Sequence, residues 1–200
     1  MNKIPYEKVS VRLAKLEHLD EGFGKINPRR QVPAMKHGDF CLPESNAIMK
    51  YLHRTFNCPD HWYPEESKSR AMVDSILDWH HVFRASLAPC VFKSVFAKMF
   101  GLEVDKAVLD MHFEMKDKAL KDINKMLGNS KYLCGDHLTI ADINSFCEVL
   151  QLGFIEEDFS HLKNLKRWYD EIFSLDEVQK VSKPILTFID KSTKKRKAKL

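Results

Sequence analysis

The sequence predicts an α+β fold that is mainly helical, in which a small mixed domain precedes an all-helical one. Two short apolar runs around His37-Gly38-Asp39 predict a β-hairpin, and a helical run follows them. Prolines then interrupt the pattern, and from Glu66 onward apolar residues recur at helical spacing. The predicted divisions are a mixed domain at 1–55, a linker at 56–65, a helical domain at 66–190 and a basic tail at 191–200.

The first predicted element is a strand from Tyr6 to Leu13, in which Val9 and Val11 alternate with charged residues. A helix is expected next, in the segment KLEHLDEGF that contains His18. On spacing alone, His18 is better explained as a solvated surface histidine beside an acidic run than as a binding residue.

The segment from Asn27 to Ser45 combines three features that suit a small zwitterionic peptide. Pro33 can adopt the cis form, which would leave the Val32 backbone free to pair with an extended peptide. Ser45 is predicted to cap the helix that follows, whose free amides favour a carboxylate, and Glu44 suits an ammonium group. A hairpin followed by a capped helix is also common scaffolding, so these features alone leave both readings open.

The helical region begins with apolar residues spaced three and four apart, which predicts a helix with one buried face; they are Val73, Ile76, Leu77, His80, Phe83 and Leu87. Pro89 is expected to kink or interrupt this helix, and Pro184 to interrupt the last one. Adjacent helical residues such as His80 and His81 point in different directions, and no carboxylate stands at a ligand spacing, so no metal site is predicted.

Thr139 and Asp142 form the strongest local signal in the helical region. Thr139 followed three residues later by Asp142, before an apolar run, predicts a capping box at the start of a buried helix. We assign this motif a structural role and no catalysis.

Composition and charge exclude several classes of protein. No window approaches 18 consecutive apolar residues, and the first residues lack the apolar core of a secretory signal. The five cysteines are scattered without a C-x-x-C pair, which argues for free thiols and against a disulfide framework or a zinc site. The net charge of +4 includes six positive residues among the last ten, so residues 1–190 carry −2 and a nucleic-acid-binding face is not expected.

The basic tail has three readings. The simplest is a solvated charge run. Ala198, Lys199 and Leu200 are a close variant of the S-K-L peroxisomal address, and the preceding KKRK could serve as a nuclear signal.

Several motifs together resemble the theta class of the glutathione S-transferases: INPRRQVPAM, GDF and LPESNAIMKYL, with NKIPYEKVSVRL and EHL before them and DHWYP, LDWHH and LTIADI after them. The resemblance covers most of the chain. It implies a thioredoxin-like N-terminal domain and an all-helical C-terminal domain. It also implies an enzyme that adds the glutathione thiolate to small electrophiles, with glutathione as co-substrate and no cofactor.

The resemblance assigns roles to individual residues. In the family, the residue before the cis-proline pairs with the cysteinyl part of glutathione and a Glu-Ser pair holds the γ-glutamyl end. The glutathione-binding residues implied here are His18, Gln31, Val32, Pro33, Glu44 and Ser45, with His18 and Gln31 at the glycyl end. The electrophile is expected in an apolar cleft lined by His80, Phe83 and Leu87.

The sequence also departs from the family pattern. A first strand, a loop and a helix are expected before Tyr6, and the catalytic serine of the theta class lies at the end of that strand. We therefore expect the N-terminal domain to be truncated, the serine to lie upstream of Met1, and this chain to be impaired in catalysis. Ser10 and Ser45 are poor substitutes. Arg84 also lies one position before the arginine that theta enzymes usually carry here.

The remaining expectations concern partners and location. Family habit implies a homodimer. The scattered cysteines, the charge distribution and the lack of a long apolar run predict a cytoplasmic location and no nucleic-acid or membrane partner. The alternative function is a non-catalytic interaction module, because folds of this type also serve as docking domains. An upstream reading frame that encodes a strand, a serine and a helix would support the enzyme, whereas a stop codon would support the module.

Overall fold

A two-stranded antiparallel sheet lies in the N-terminal part of the chain. It consists of β1 (Ala34–His37) and β2 (Phe40–Pro43), paired so that Ala34 faces Pro43 and His37 faces Phe40. Gly38 and Asp39 form the turn, and Gly38 has a φ of 59°, a value that favours glycine. The predicted hairpin is therefore confirmed.

The computed structural model describes residues 1–198, with the side chain of Met99 excepted. The chain divides into two compact units, Met1–Pro64 and Glu65–Leu200. The peroxisomal reading of the C-terminus depends on Lys199 and Leu200, which lie outside the described residues.

The strand predicted for Tyr6 to Leu13 is wrong. Residues 1–12 form no regular element, and Tyr6 and Val9 are 82% and 76% exposed. A strand is stabilised by hydrogen bonds to a neighbouring strand, and within residues 1–198 no strand pairs with this segment. Alternation of apolar and charged residues was therefore not sufficient to form a strand.

Short helices follow this segment and support the sheet. Two 3₁₀ turns, Leu13–Lys15 and Glu17–Leu19, precede α1 (Glu21–Ile26). The extended Asp20 separates His18, in the second turn, from α1, so the single helix predicted around His18 is divided in two. Helix α1 packs against both strands.

Helix α2 (Ser45–Thr55) begins two residues after β2 and packs on the hairpin. A 3₁₀ turn, Asp60–Trp62, lies in the segment predicted as the linker. Tyr63 is buried there and meets the edge of the His53 ring, with ring centroids 5.9 Å apart. The contact between Tyr63 and His53 therefore packs the end of the first unit against α2.

All regular elements described in the second unit are helical. They are α3 (Ser67–Val91), a π-helical turn (Phe92–Phe96), α4 (Ala97–Met99), α5 (Lys106–Leu127), α6 (Ile140–Leu150), a 3₁₀ turn (Gln151–Ile155), α7 (Lys163–Phe173) and α8 (Asp176–Lys197). Helix α3 packs against both α5 and α6, and α6 is buried along most of its length.

The predicted interruption at Pro184 is wrong, whereas the α-helix that contains Pro89 ends two residues after it, near the expected place. Helix α3 continues past Pro89 to Val91 and passes into the π-helical turn, and α8 continues past Pro184. A proline removes one backbone hydrogen bond, and the buried neighbours Cys90 and Val91 hold the following turn in place.

The predicted capping box is confirmed at the start of α6. Asp142 Oδ2 accepts the backbone N–H of Thr139 at 3.0 Å and its hydroxyl at 2.8 Å. Asp142 Oδ1 accepts the Leu133 N–H at 2.8 Å and the Trp168 Nε1–H at 2.9 Å. Burial raises the pKa of this carboxyl, and these four bonds oppose that shift. Asp142 therefore connects α6, the preceding loop and α7.

Much of the predicted basic tail belongs to α8. Arg196 donates to the Phe154 carbonyl at 2.9 Å, and Lys197 pairs with Glu156 at 2.6 Å. Lys194 pairs with Asp190 at 2.8 Å, one turn earlier. Residues 191–197 are therefore helical, and basic residues are favourable in the last turn of a helix. The Lys194 and Lys197 side chains remain 76% and 66% exposed, which is compatible with the reading of a solvated charge run. None of the helices formed by residues 1–198 is long and apolar enough to cross a membrane.

Candidate functional site

The hairpin brings together four of the predicted glutathione-binding residues. Because Ala34 pairs with Pro43, the residues just before β1 and just after β2 lie at the same open end of the hairpin. Val32 and Pro33 precede β1, and Glu44 and Ser45 follow β2. Residues that are 12 positions apart in sequence are thus neighbours because of strand pairing.

The Val32-Pro33 peptide bond is cis. Val32 is 41% exposed, and no hydrogen bond to its backbone is recorded within residues 1–198. Its N–H and C=O are therefore without a partner among the described residues, and the pairing of this backbone with an extended peptide stays a prediction.

Asn27 positions this segment and was not identified from the sequence. Its side chain, 2% exposed, donates to the Gln31 carbonyl at 2.7 Å and accepts from the Arg29 N–H at 3.1 Å. Its own carbonyl accepts the Arg30 N–H at 2.8 Å. The Asn-Pro pair was the available signal, because asparagine commonly closes turns by bonding to nearby backbone.

Glu44, not Ser45, occupies the N-cap of α2, and its side chain does not cap the helix. The predicted cap at Ser45 is wrong because Ser45 is already the first helical residue. Glu44 has a φ of 71°, which is unusual outside glycine, and its Oε1 pairs with Arg29 at 2.8 Å. The first-turn amides of α2 and its partial positive charge lie beside this carboxylate.

The other two predicted residues lie on separate turns. His18 belongs to the 3₁₀ turn before α1, and its Nδ1 is buried without a hydrogen-bond partner in the described part of the chain. Gln31 is exposed at the end of the Asn27 loop.

Burial contradicts the prediction that His80, Phe83 and Leu87 line the electrophile cleft. His80, Phe83 and Leu87 are 5%, 0% and 0% exposed, so they belong to the core of the helical unit and cannot line an open cleft. The neighbouring face of α3, with the π-helical turn, instead borders a groove of about 410 Å³. Its lining includes His81, Arg84, Ala85, Ala88, Pro89, Phe92 and Lys93.

A buried carboxylate lies behind this groove. Glu148 on α6, 4% exposed, accepts the Arg84 Nη1–H at 2.7 Å, and its other oxygen accepts from Gln151 Nε2. His80 Nε2 is 3.3 Å from Glu148 Oε1, outside hydrogen-bond geometry. Burial alone would raise the pKa of Glu148, but His80 and Arg84 outweigh it, so that pKa lies below its usual value.

Among residues 1–198, no group of three or more His, Cys, Asp or Glu side chains is arranged to hold a metal ion.

Comparison with known proteins connects this geometry to a family. The N-terminal domain of glutathione S-transferases matches residues 1–54, and their C-terminal domain matches residues 72–176. The chain is 32% identical to human glutathione S-transferase theta-2, over 97% of this chain and 82% of the relative. The chain belongs to the theta class of the glutathione S-transferase family.

Two further relatives agree with this theta-class assignment. Human glutathione S-transferase theta-1 is 38% identical over 74% of this chain and 63% of its own length. A human theta-class glutathione transferase, solved with the glutathione conjugate of 1-menaphthyl sulfate, aligns with a TM-score of 0.89 at 31% identity, over 98% of this chain and 82% of that chain. The predicted fold class is confirmed, and the match spans less than two thirds of the theta-1 relative.

Proposed function

We propose that this theta-class chain binds glutathione and takes part in its conjugation to small electrophilic molecules. The observation that carries the proposal is the open end of the hairpin. There the exposed backbone of Val32, which has no hydrogen-bond partner among the described residues, lies beside the N-terminus of α2 and the carboxylate of Glu44. These groups complement an extended peptide with one charged end.

Each group has a role in binding. The Val32 backbone pairs with the cysteinyl unit, and Pro33 fixes the direction of the chain there. The Ser45 hydroxyl and the first-turn amides of α2 hold the γ-glutamyl carboxylate, which the helix N-terminus favours. Glu44 Oε2 accepts from the γ-glutamyl ammonium, because Oε1 is already paired with Arg29.

His18 and Gln31 serve the glycyl end. Among the described residues, the buried Nδ1 of His18 has no hydrogen-bond partner. This supports the role, because a buried polar atom is stabilised when it gains such a partner. Gln31 contributes an exposed amide that can donate to a carboxylate.

The electrophile binds along α3, in the groove bordered by Ala85, Ala88 and Phe92. In the reaction, the glutathione sulfur forms a bond to the electrophilic carbon. The leaving group departs with the electron pair of the broken bond, and the thiol proton is released to solvent. Deprotonation of the thiol is the step for which the family uses a serine, and no residue of the printed sequence matches it. We therefore propose that these 200 residues bind glutathione but conjugate it slowly.

Calorimetry and a conjugation assay on one sample test the proposal. Wild type is expected to bind glutathione, and Glu44→Gln and Ser45→Ala to bind it about tenfold more weakly, the loss of one charge-assisted hydrogen bond each. Ser75→Ala, at an exposed position on α3, is the control and should bind like wild type. Absence of glutathione binding by wild type would contradict the proposal and favour the non-catalytic interaction module. Rapid conjugation would contradict the part that concerns the missing serine.

We also propose a homodimer in the cytoplasm. Analytical ultracentrifugation should give twice the mass of the 23.3 kDa chain. A fluorescent protein that carries residues 190–200 should stay diffuse in cells, whereas punctate labelling would favour the peroxisomal reading.

A further inference from the structure

An exposed apolar stripe runs along α8. Val181, Ile185 and Phe188 are 76%, 38% and 44% exposed, and they follow one another at intervals of four and three residues. Residues at these intervals lie on one side of a helix. Ser182, the residue after Val181, is buried, so the stripe borders the face of α8 that packs on the helical unit. Three large apolar side chains are thus presented together at the surface.

Phe188 is held in place by the core. Its ring meets the edge of the Phe154 ring, with ring centroids 5.5 Å apart, and its centroid lies 6.3 Å from that of Phe96. Phe154 is itself buried. The inner part of the Phe188 ring therefore packs on aromatic neighbours while the outer part remains open. A side chain that is already ordered loses little further entropy when its exposed part is covered.

Two lysines continue the same side of α8 toward its C-terminal end. Lys191 and Lys195 follow the last residue of the stripe at three and seven residues, and both are exposed. No side-chain hydrogen bond or ion pair of either lysine is recorded within the described part of the chain. After its first turn α8 contains one acid, Asp190, which pairs with Lys194 at 2.8 Å. The positive charge of Lys191 and Lys195 is therefore not neutralised by α8 itself.

The basic residues in the last turn of α8 differ from these two lysines. Arg196 and Lys197 both pair with Glu156, at 3.2 and 2.6 Å. Arg196 also donates to the Phe154 carbonyl. These pairs attach the end of the helix to the helical unit, so they leave Lys191 and Lys195 as the free charge beside the stripe.

The stripe and the two lysines together form the α8 surface, which consists of Val181, Ile185, Phe188, Lys191 and Lys195. Because it lies along the exposed side of a helix, it is a ridge and does not enclose a small molecule. Its charge is complementary to an anionic partner, and its apolar side chains are complementary to an apolar medium. The boundary of an anionic lipid bilayer offers both. The phosphate backbone of a nucleic acid offers the charge alone.

We propose that the α8 surface attaches the protein reversibly to membranes that contain anionic lipid. Lys191 and Lys195 bind the headgroups, and the apolar stripe enters the boundary between headgroups and acyl chains. The lack of a long apolar run, which contributed to the prediction of no membrane partner, argues against a membrane span but not against attachment of this kind.

Co-sedimentation of the 200-residue chain with vesicles tests the role of charge. Wild type should bind vesicles of phosphatidylcholine with about 30% phosphatidylserine, should bind pure phosphatidylcholine much more weakly, and should be released by salt. Lys191→Gln/Lys195→Gln should weaken binding about thirtyfold, because each lysine near an anionic surface contributes roughly a factor of five. Lys121→Gln/Lys125→Gln is the matched control. It removes two exposed lysines at the same spacing on α5 and should bind like wild type.

A second pair of variants tests the apolar stripe. Val181→Ser should weaken binding to the anionic vesicles about fivefold, because part of an apolar side chain no longer leaves water. Val9→Ser is the control, since Val9 is also 76% exposed but lies outside α8, and it should bind like wild type. Because the substituted residues are exposed, far-ultraviolet circular dichroism should show that every variant stays folded.

Three results would overturn the inference. The first is a wild type that does not bind the anionic vesicles. The second is a variant with both α8 lysines replaced that binds them as well as its α5 control does. The third is an effect of the lysines without an effect of Val181→Ser, accompanied by equally strong binding to poly(U), which would identify a general site for polyanions.

Discussion

Removal of the Asp142 carboxylate should destabilise the helical unit more than removal of an exposed acid. Asp142 is 0% exposed and accepts four hydrogen bonds, two on each oxygen. Oδ1 binds the Leu133 N–H and the Trp168 indole, and Oδ2 binds the backbone N–H and the hydroxyl of Thr139. The Asp142→Ala substitution leaves all four donors without this acceptor.

The expected loss follows from those donors. An unpaired buried donor costs about 1–3 kcal/mol, and rearrangement or entry of water recovers part of that cost, so we expect a total loss of about 3–5 kcal/mol. Such a loss is a large share of a typical stability of about 5–15 kcal/mol. Asp142→Asn should cost less, because its carbonyl can keep the two donors of one oxygen while its amide group faces the other two.

Equilibrium unfolding in urea, followed by circular dichroism and tryptophan fluorescence, measures these losses. Asp110→Ala is the matched control, since Asp110 is exposed on α5 and makes a single ion pair with Lys106, worth about 0.5 kcal/mol or less. The reasoning would be refuted if Asp142→Ala cost less than about 1 kcal/mol, or no more than Asp110→Ala.

Three further predictions concern single side chains. Asn27→Ala should weaken glutathione binding about tenfold by releasing the loop before Val32, which calorimetry can measure; unchanged binding would show that the loop needs no such support. The pKa of Glu148 is lowered in the folded state, so its contribution to stability is present above its usual value of 4.5 and is lost as pH falls through the lowered pKa. As the pH falls below 4.5, the free energy of unfolding of Glu148→Gln should therefore decrease less steeply than that of wild type. Equal slopes in the two proteins would contradict this. Burial raises the pKa of Cys90 to about 11, so iodoacetamide at pH 7.5 should leave it unmodified in the folded protein, as mass spectrometry would show.

Elements with local signals were predictable from the sequence. The hairpin follows from a Gly-Asp turn between two apolar runs, and the α6 capping box from Thr139 and Asp142 at a fixed spacing. In both cases the interacting groups lie within a few residues, so the sequence contains all the partners that stabilise the element. The strand predicted at Tyr6 to Leu13 lacked this property, because a strand depends on a partner elsewhere in the chain.

The open end of the hairpin was predictable for a different reason. Once β1 and β2 are known to pair, strand geometry alone places Val32 and Pro33 beside Glu44 and Ser45. The support from Asn27 was not predicted, because its bonds connect a side chain to particular backbone groups of an irregular loop. Irregular backbone has no period from which such partners can be counted.

The helical periodicity of α3 identified its buried face correctly, but it did not identify the residues that border the groove. Recurrence at three and four residues identifies the buried face of a helix, so His80, Phe83 and Leu87 were correctly placed in the apolar stripe. The same residues could not also line a cleft, because a side chain in the core is closed to ligands. One residue corresponds to about 100° around a helix, and that rotation separates buried His80 from His81, and buried Phe83 from Arg84. The bond from Arg84 to Glu148 spans 64 residues, and only the packing of α3 on α6 brings those two side chains together. The exposed face of α3 that borders the groove could therefore be deduced from the sequence, whereas the carboxylate that pairs with Arg84 could not.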